Sequence, residues 1–239
     1  MGNTIYATIT RQSGLMNEMR VVANNIANLA TTGFRAETAI FSEYVMPLGA
    51  TGGSMSMARA NAHVTSFQQG ALTRTGGAFD LGINGDGFFQ LDTPSGVRLT
   101  RAGAFSPNAE GELVSAEGYK LLDAGGAPIF APLDANQISI SADGTLSADG
   151  NPLAQIGLVL PSDPSDLIRE GGVKFKTDSE LVPADLATVS QGFLESSNVE
   201  AVQQIARMIE VQRSYEMGQS FLEKEDERLR SIMTLVGGR

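Results

Sequence analysis

Apolar residues recur every seven positions at both ends of the chain, while the middle breaks into short apolar runs between glycine turns. At the amino end Ile9, Met16, Ala23 and Ala30 form one stripe, and Ile5, Gln12, Met19 and Ile26 form a second. This heptad spacing predicts a helix over residues 3–29. Leu15, Val22 and Leu29 widen the apolar face beyond a two-position seam, so more than one packing neighbour is expected. Thr31-Thr32-Gly33 stops the helix, with Gly33 in a left-handed cap. A β-branched residue at Gly33 is therefore expected to harm assembly more than it harms the central block.

The carboxyl end carries the same pattern at greater length. Ala201, Met208, Tyr215, Leu222, Leu229 and Val236 recur by sevens, beside a second stripe of Ile205, Gln212, Gln219, Asp226 and Met233 that is polar in its middle. Ser197-Asn198 is the expected cap, with Glu200 in the first turn. The helix runs for about 38 residues, which at the α-helical rise spans roughly 57 Å. The charged run Glu223 to Arg228 reads as a solvated face.

Between the ends, Phe88–Leu91, Val97–Thr100, Tyr119–Leu122, Gln137–Ile140 and Gln155–Leu160 read as strands. They are separated by turns at Glu110-Gly111, Glu117-Gly118, Gly125-Gly126, Asp143-Gly144 and Asp149-Gly150. Residues 109–118 echo 142–150, as two hairpins of one β domain would. Residues 35–69, with Gly52-Gly53-Ser54-Met55, read as an extended connector of low regularity. The expected class is α+β. Residues 1–34 and 198–239 form the halves of a coiled-coil-like helical axial domain, 35–69 the connector, and 70–197 a central all-β domain.

Charge sharpens this division. The 239 residues carry a formal charge of −10, and the block 70–197 alone holds 17 acids against 7 bases, so the two ends together are neutral. An acidic chain lacks the basic footprint that nucleic acid requires. Without cysteine there is no disulfide, thiolate nucleophile or cysteine metal site. The single histidine, His63, has no Ser or Asp pattern near it and is expected at the surface. No run of 18 apolar residues offers a transmembrane segment, and the start lacks the basic and apolar regions of a cleavable signal.

Gly82-Ile83-Asn84-Gly85-Asp86-Gly87 is the densest glycine segment, but a phosphate cradle needs a following helix and a lysine. Strand-like Phe88-Phe89 follows instead. The Asp-Gly turns lack the alternate acids and closing Glu of an EF-hand loop, and they need no partner beyond their own turn. No catalytic, cofactor-binding or metal-binding residue is expected, and no cofactor. A hydrolase using a carboxylate pair in the β domain finds no supporting pattern.

The ends carry a more specific signal. Val22-Ala23-Asn24-Asn25-Ile26-Ala27-Asn28-Leu29 followed by Ala30-Thr31-Thr32-Gly33-Phe34-Arg35 resembles the amino-terminal motif of bacterial flagellar basal-body rod and hook proteins. Gln191 to Val199, then Met208 to Glu216, is similar to that family's carboxyl-terminal motif. Gly85 to Phe89, Leu99 to Phe105 and Gly111 to Val114 are similar to its central signatures. The subtype most resembled is the proximal rod protein, through Ile5-Tyr6, Arg11-Gln12 and the tail Glu223 to Arg230. The motif residues are Asn24, Asn25, Asn28, Thr32, Gly33, Phe34, Asn198, Gln212, Arg213 and Tyr215.

The resemblance implies a structural subunit of the flagellar rod, exported without cleavage by the flagellar type III apparatus and polymerised in the periplasm with itself and other rod proteins. The residues expected at the assembly interface are Ile5, Ile9, Met16, Met19, Val22, Ile26, Leu29, Ile205, Met208, Ile209, Tyr215, Leu222, Leu229 and Met233. The competing reading is a soluble β-domain binding module with a coiled-coil dimerisation stalk.

Overall fold

The structure, a computed structural model, describes residues 2–47 and 54–237. They fall into two compact units. The helical unit comprises the chain up to Leu29, Ala36–Ser66, and Val199 onwards; the β unit comprises Ala30–Arg35 and Phe67–Asn198. The chain thus passes between the units four times, and the β unit takes a short insert from within the amino-terminal part of the helical one.

In the helical unit, α1 (Gly2–Ala27) packs against α2 (Ala201–Gly237, 37 residues) and against a hairpin of β1 (Glu37–Pro47) and β2 (Ser54–Thr65). The hairpin is antiparallel from Glu37 opposite Thr65 to Pro47 opposite Ser54, with a register shift between Ile40 and Phe41. These two paired strands stand where the chain reads as an irregular connector; Gly52 and Gly53 lie outside the described residues.

The helices keep the heptad period but not its expected phase. On α1 the buried positions include Gly14, Leu15, Glu18, Val21, Val22 and Asn25, while Ile9, Met16 and Ala23 are exposed. On α2 the least exposed positions include Gln204, Met208, Val211, Tyr215, Gly218 and Leu222. The stripe through Met208, Tyr215 and Leu222 is the one the sequence suggests. Its companion sits one residue earlier than expected, so Ile205, Gln212, Gln219 and Asp226 face outward. Polar groups set this phase. Glu18, buried on α1, pairs with Arg207, whose Nε lies 2.6 Å away, and Gln12 Nε2 donates to the Tyr215 carbonyl at 3.3 Å. Gly218 leaves room for that glutamine, since a Cβ there would stand 3.2 Å from its Nε2.

The β unit closes around two apolar clusters. β3 (Leu72–Arg74) pairs with Phe193–Glu195, and β4 (Leu81–Asn84) with Thr188–Gln191. β5 (Phe88–Thr93) and β6 (Gly96–Thr100) form the central hairpin of the largest sheet. Alternation along β5 sends Phe89 and Leu91 into a core with Leu81, Ile83, Leu113, Leu121 and Leu146. Phe88 goes to a second cluster with Leu99, Val159 and Phe175. The turns lie where the Glu-Gly and Asp-Gly pairs place them: Gly111, Gly118, Gly144 and Gly150 all have φ between +83° and +85°. The expected strand over 155–160 is interrupted at Ile156-Gly157, and its two sides belong to Asn151–Gln155 and Leu158–Pro161.

Candidate functional site

Two features stand out: a buried ionic centre in the β unit, and apolar surface left open on the helical unit. The ionic centre is built on Glu195, which is 1% exposed. Its Oε2 meets Arg101 Nη2 at 2.7 Å and accepts from Arg101 Nε at 2.8 Å. Its Oε1 meets Arg35 Nη2 at 2.9 Å and accepts from the Gly70 amide at 3.0 Å. Arg101 spends Nη1 on the carbonyls of Gly85 and Gly87, at 2.9 and 2.7 Å. The glycine-dense segment therefore supplies carbonyls to a buried guanidinium, an arrangement unlike the amide cradle that binds phosphate.

The insert Ala30–Arg35 is held by the same centre. The Gly33 amide donates to the Glu195 carbonyl at 2.8 Å, and Arg35 Nη1 donates to the Gln68 carbonyl. Arg169 Nη2 donates to the Arg35 carbonyl, and its guanidinium lies over the rings of Phe34 and Phe175 at 4.6 and 4.9 Å. Asn198 donates its side-chain amide to Gln68, at 2.8 Å, and its main-chain amide to Phe34. It thus ties two loop segments of the β unit together, and α2 starts three residues later, at Ala201, rather than at the expected Ser197-Asn198 cap.

Gly33 has φ +68°, in the left-handed region expected of it, but it is more than a helix cap. A Cβ at this position would lie 2.3 Å from Ala102 N and 2.4 Å from the Arg101 carbonyl carbon. Any side chain here collides with main chain of the β unit. The expectation that a Gly33 substitution spares the central block is therefore corrected: the block itself loses a close backbone approach.

Electrostatics explain why the centre is confined to a few residues. Burial pushes the Arg35 guanidinium down to about 10; Glu195 opposes that shift and Arg101 adds to it. Arg101 is lowered as well, first by burial, against the pull of Glu195. One buried carboxylate thus serves two buried cations, and removing it would leave both uncompensated.

The helical unit has its own polar lock. Asn25, 1% exposed, donates Nδ2 to the Glu37 carbonyl at 2.8 Å and accepts from the Glu37 amide at 3.0 Å. This pairing copies a strand ladder and fixes the start of β1 against α1; the same Nδ2 reaches Gln204 Oε1 of α2 at 3.2 Å. Asn28 closes the end of α1 by donating to the Asn24 carbonyl at 2.8 Å.

The residues expected at an assembly interface divide three ways. Ile9, Met16, Ile205, Ile209, Leu229 and Met233 are exposed, the last at 68%. Ile5, Met19, Ile26, Leu29, Met208, Tyr215 and Leu222 are half-buried. Val22 is buried and packs the unit's own interior. Exposed apolar residues absent from the expected set include Val202, Met217, Ile232 and Leu235. Of the motif residues, Gly33, Phe34 and Asn198 serve the β unit, Asn25 and Asn28 the helical unit, and Thr32 is half-buried in the insert. Gln212 and Arg213 lie on the open face of α2. Arg35, Arg101 and Glu195 belong to the quoted motifs, yet pattern alone does not show that they meet. His63 is exposed, as expected.

Among the described residues no group of acidic or histidine side chains is arranged to hold a metal ion, and no helix is long and apolar enough to cross a membrane. The chain joins a closed β unit to helices that keep apolar side chains exposed, and comparison with known proteins places this architecture in the flagellum. Residues 5–35 match the family described as flagella basal body rod protein. Residues 82–148 match the flagellar hook protein FlgE/F/G D1 domain, and residues 190–235 the flagellar basal body rod FlgEFG protein C-terminal.

Similar proteins extend the match over nearly the whole chain. The flagellar basal-body rod protein FlgF of Caulobacter vibrioides is 36% identical over 242 residues, covering 99% of each chain. FlgF of Rhizobium meliloti is 34% identical over 244 residues, covering all of both. The flagellar basal-body rod protein FlgG of Bacillus subtilis is 32% identical over 266 residues, covering 98% of this chain and 99% of its own. The chain belongs to the flagellar basal-body rod protein family. It is a structural protein of the flagellar basal body and not an enzyme.

Proposed function

We propose that the subunit polymerises through the outward faces of α1 and α2, paired in a coiled-coil-like axial domain, as part of the proximal segment of the rod. The observation that carries this reading is the apolar surface left open along both helices: Ile9 and Met16 on α1, and Ile205, Ile209, Met217, Ile232 and Met233 on α2. These side chains are already partly covered, so burying the rest of each is worth roughly 1–2 kcal/mol, a gain that neighbouring subunits supply. The near-neutral ends oppose no close packing, while the acidic β block keeps like charges toward solvent. A contact between unlike faces of identical subunits repeats into a helical array.

The proximal placement rests on the resemblance of Ile5-Tyr6, Arg11-Gln12 and the charged tail. Export by the flagellar type III apparatus without a cleaved signal, passage of the rod through the periplasm, and the absence of a nucleic-acid partner belong to the same reading. Removing residues 222–239 tests it. The deletion takes Leu222, Leu229 and Met233 from α2 and lies outside the β unit. The truncated chain is expected to keep the melting transition of the β unit and to fail to restore motility or rod assembly in cells lacking this protein. Full motility would overturn the proposal.

A further inference from the structure

The β unit contains a cleft of about 290 Å³ with the ionic centre at one side and apolar walls on the others. Arg35 and Arg101 line it, together with Phe67, Phe88, Leu160 and Leu167. The buried charges here do not cancel, because two guanidiniums share the single carboxylate of Glu195. Asp86 also lines the cleft and pulls on both cations, though it is exposed and ranks behind Glu195 in that pull. Arg35 Nε is, among the described residues, the one buried side-chain nitrogen or oxygen without a hydrogen-bond partner. Two guanidiniums with one buried carboxylate and one exposed one, beside aromatic and aliphatic walls, are complementary to a carboxylate next to an aliphatic side chain.

The same unit displays such a pair. Ala184 to Ala187 forms a tight turn, closed by the Ala187 amide donating to the Ala184 carbonyl at 3.0 Å. Asp185 and Leu186 are its exposed residues, and Leu186 is 98% exposed. A scattered surface leucine is ordinary. This one stands in a constrained turn beside a carboxylate, and so matches both halves of the cleft's chemistry.

We propose that the Asp185-Leu186 turn of one copy of this chain seats in the Arg35–Arg101 cleft of a second copy, with Leu186 between the apolar walls and the Asp185 carboxylate toward the guanidiniums. The contact joins β unit to β unit through two unlike patches, and it is a bond separate from the helix-mediated polymerisation proposed above. Its opposite charges would also favour approach of subunits that otherwise repel through their acidic surfaces.

The absence of native cysteine gives a direct test. Full-length chains carrying Leu186→Cys are mixed with chains carrying Leu167→Cys and oxidised mildly, and the mixed disulfide is quantified. Leu160→Cys provides a second cleft position in case Leu167→Cys does not fold. Leu133→Cys, exposed in the same unit and not lining the cleft, is the control. The pair with a cleft cysteine is expected to form about tenfold faster than the control pair, and adding Asp185→Lys to the Leu186→Cys chain is expected to remove that advantage, as for a contact worth about 1.4 kcal/mol. Equal rates for cleft and control, or a rate indifferent to Asp185→Lys, would overturn the contact. The readout is a bond between β units, so its failure is distinct from failure of helical assembly, which the truncation scores.

Discussion

The two units solve the burial problem in opposite ways. The β unit hides Leu81, Ile83, Phe89, Leu113, Leu121 and Phe175 almost completely, and locks its inserted segment with a buried ionic centre. The helical unit buries Leu15, Val21, Val22 and Val211 but leaves a longer set of apolar side chains in water. Its internal order relies on polar contacts at spaced positions, Gln12, Glu18 and Asn25, each meeting a group on α2 or at the start of β1. Polar contacts of this kind specify register more than they add stability. The β unit carries a closed apolar core, whereas the helical unit keeps more of its apolar side chains in contact with water than it buries.

The largest way to break this contrast is Glu195→Ala. It leaves Arg35 and Arg101 buried without a counter-ion and is expected to cost about 3–5 kcal/mol. Calorimetry should show the β transition falling by roughly 2–4 °C for each kcal/mol lost, with helical ellipticity at low temperature unchanged. An unshifted β transition would show that the ionic centre does not hold the unit.

Asn25→Ala is the reciprocal test, with a smaller effect. It removes both hydrogen bonds that Asn25 makes with the Glu37 main chain, at about 1–3 kcal/mol. Amide exchange near Glu37 and Thr65 should accelerate while the β unit melts as before. Unchanged exchange there would mean that the hairpin docks by other means.

The smallest effect is a dependence on pH within the β unit. Hydrogen bonds hold the Asp143 carboxyl below its usual value through Ser141, that of Asp163 through Ser165, and that of Asp166 through Ser179. Glu112 and Glu170 are lowered by Lys120 and Arg98. In each case the folded chain binds its proton at a lower pH than the unfolded chain. The stabilisation is complete above the ordinary carboxylate range and is lost as pH falls through the lowered values. The β transition should therefore come at lower temperature at pH 3 than at pH 6, and equal transition temperatures would contradict this.

What could be read in the sequence follows the same contrast. Glycine turns at 111, 118, 144 and 150 were legible because a positive φ is a local demand that one residue type meets cheaply. The heptad period of the helices was legible for a similar reason, but its phase was not. Leu15 and Met16 are adjacent, as are Gln204 and Ile205; one of each pair faces the interior and the other faces out. A helix that serves two neighbours carries two apolar stripes, and periodicity alone cannot say which stripe is spent within the monomer. The hairpin of β1 and β2 is only half legible: Thr38, Ile40, Phe41, Tyr44 and Val45 give β1 a strand composition, but the alanines, serines and methionines of its partner β2 carry little strand signature. The ionic centre is not legible, because its members lie far apart along the chain and no spacing rule links them.

That separation bears on the order of events during folding. Arg101 and Glu195 are 94 positions apart, Arg35 and Arg169 134, and Asn198 and Gln68 130. Closures over such distances require most of the chain to be present, and topologies dominated by them fold slowly. The insert at residues 30–35 is made early when synthesis proceeds from the amino end, but it has no complete binding place until Glu195 has arrived. The β unit therefore cannot lock around its own beginning while its end is missing. Local hairpins such as that of β5 and β6 need only neighbouring residues, but closure of the ionic centre waits until nearly the whole chain is free.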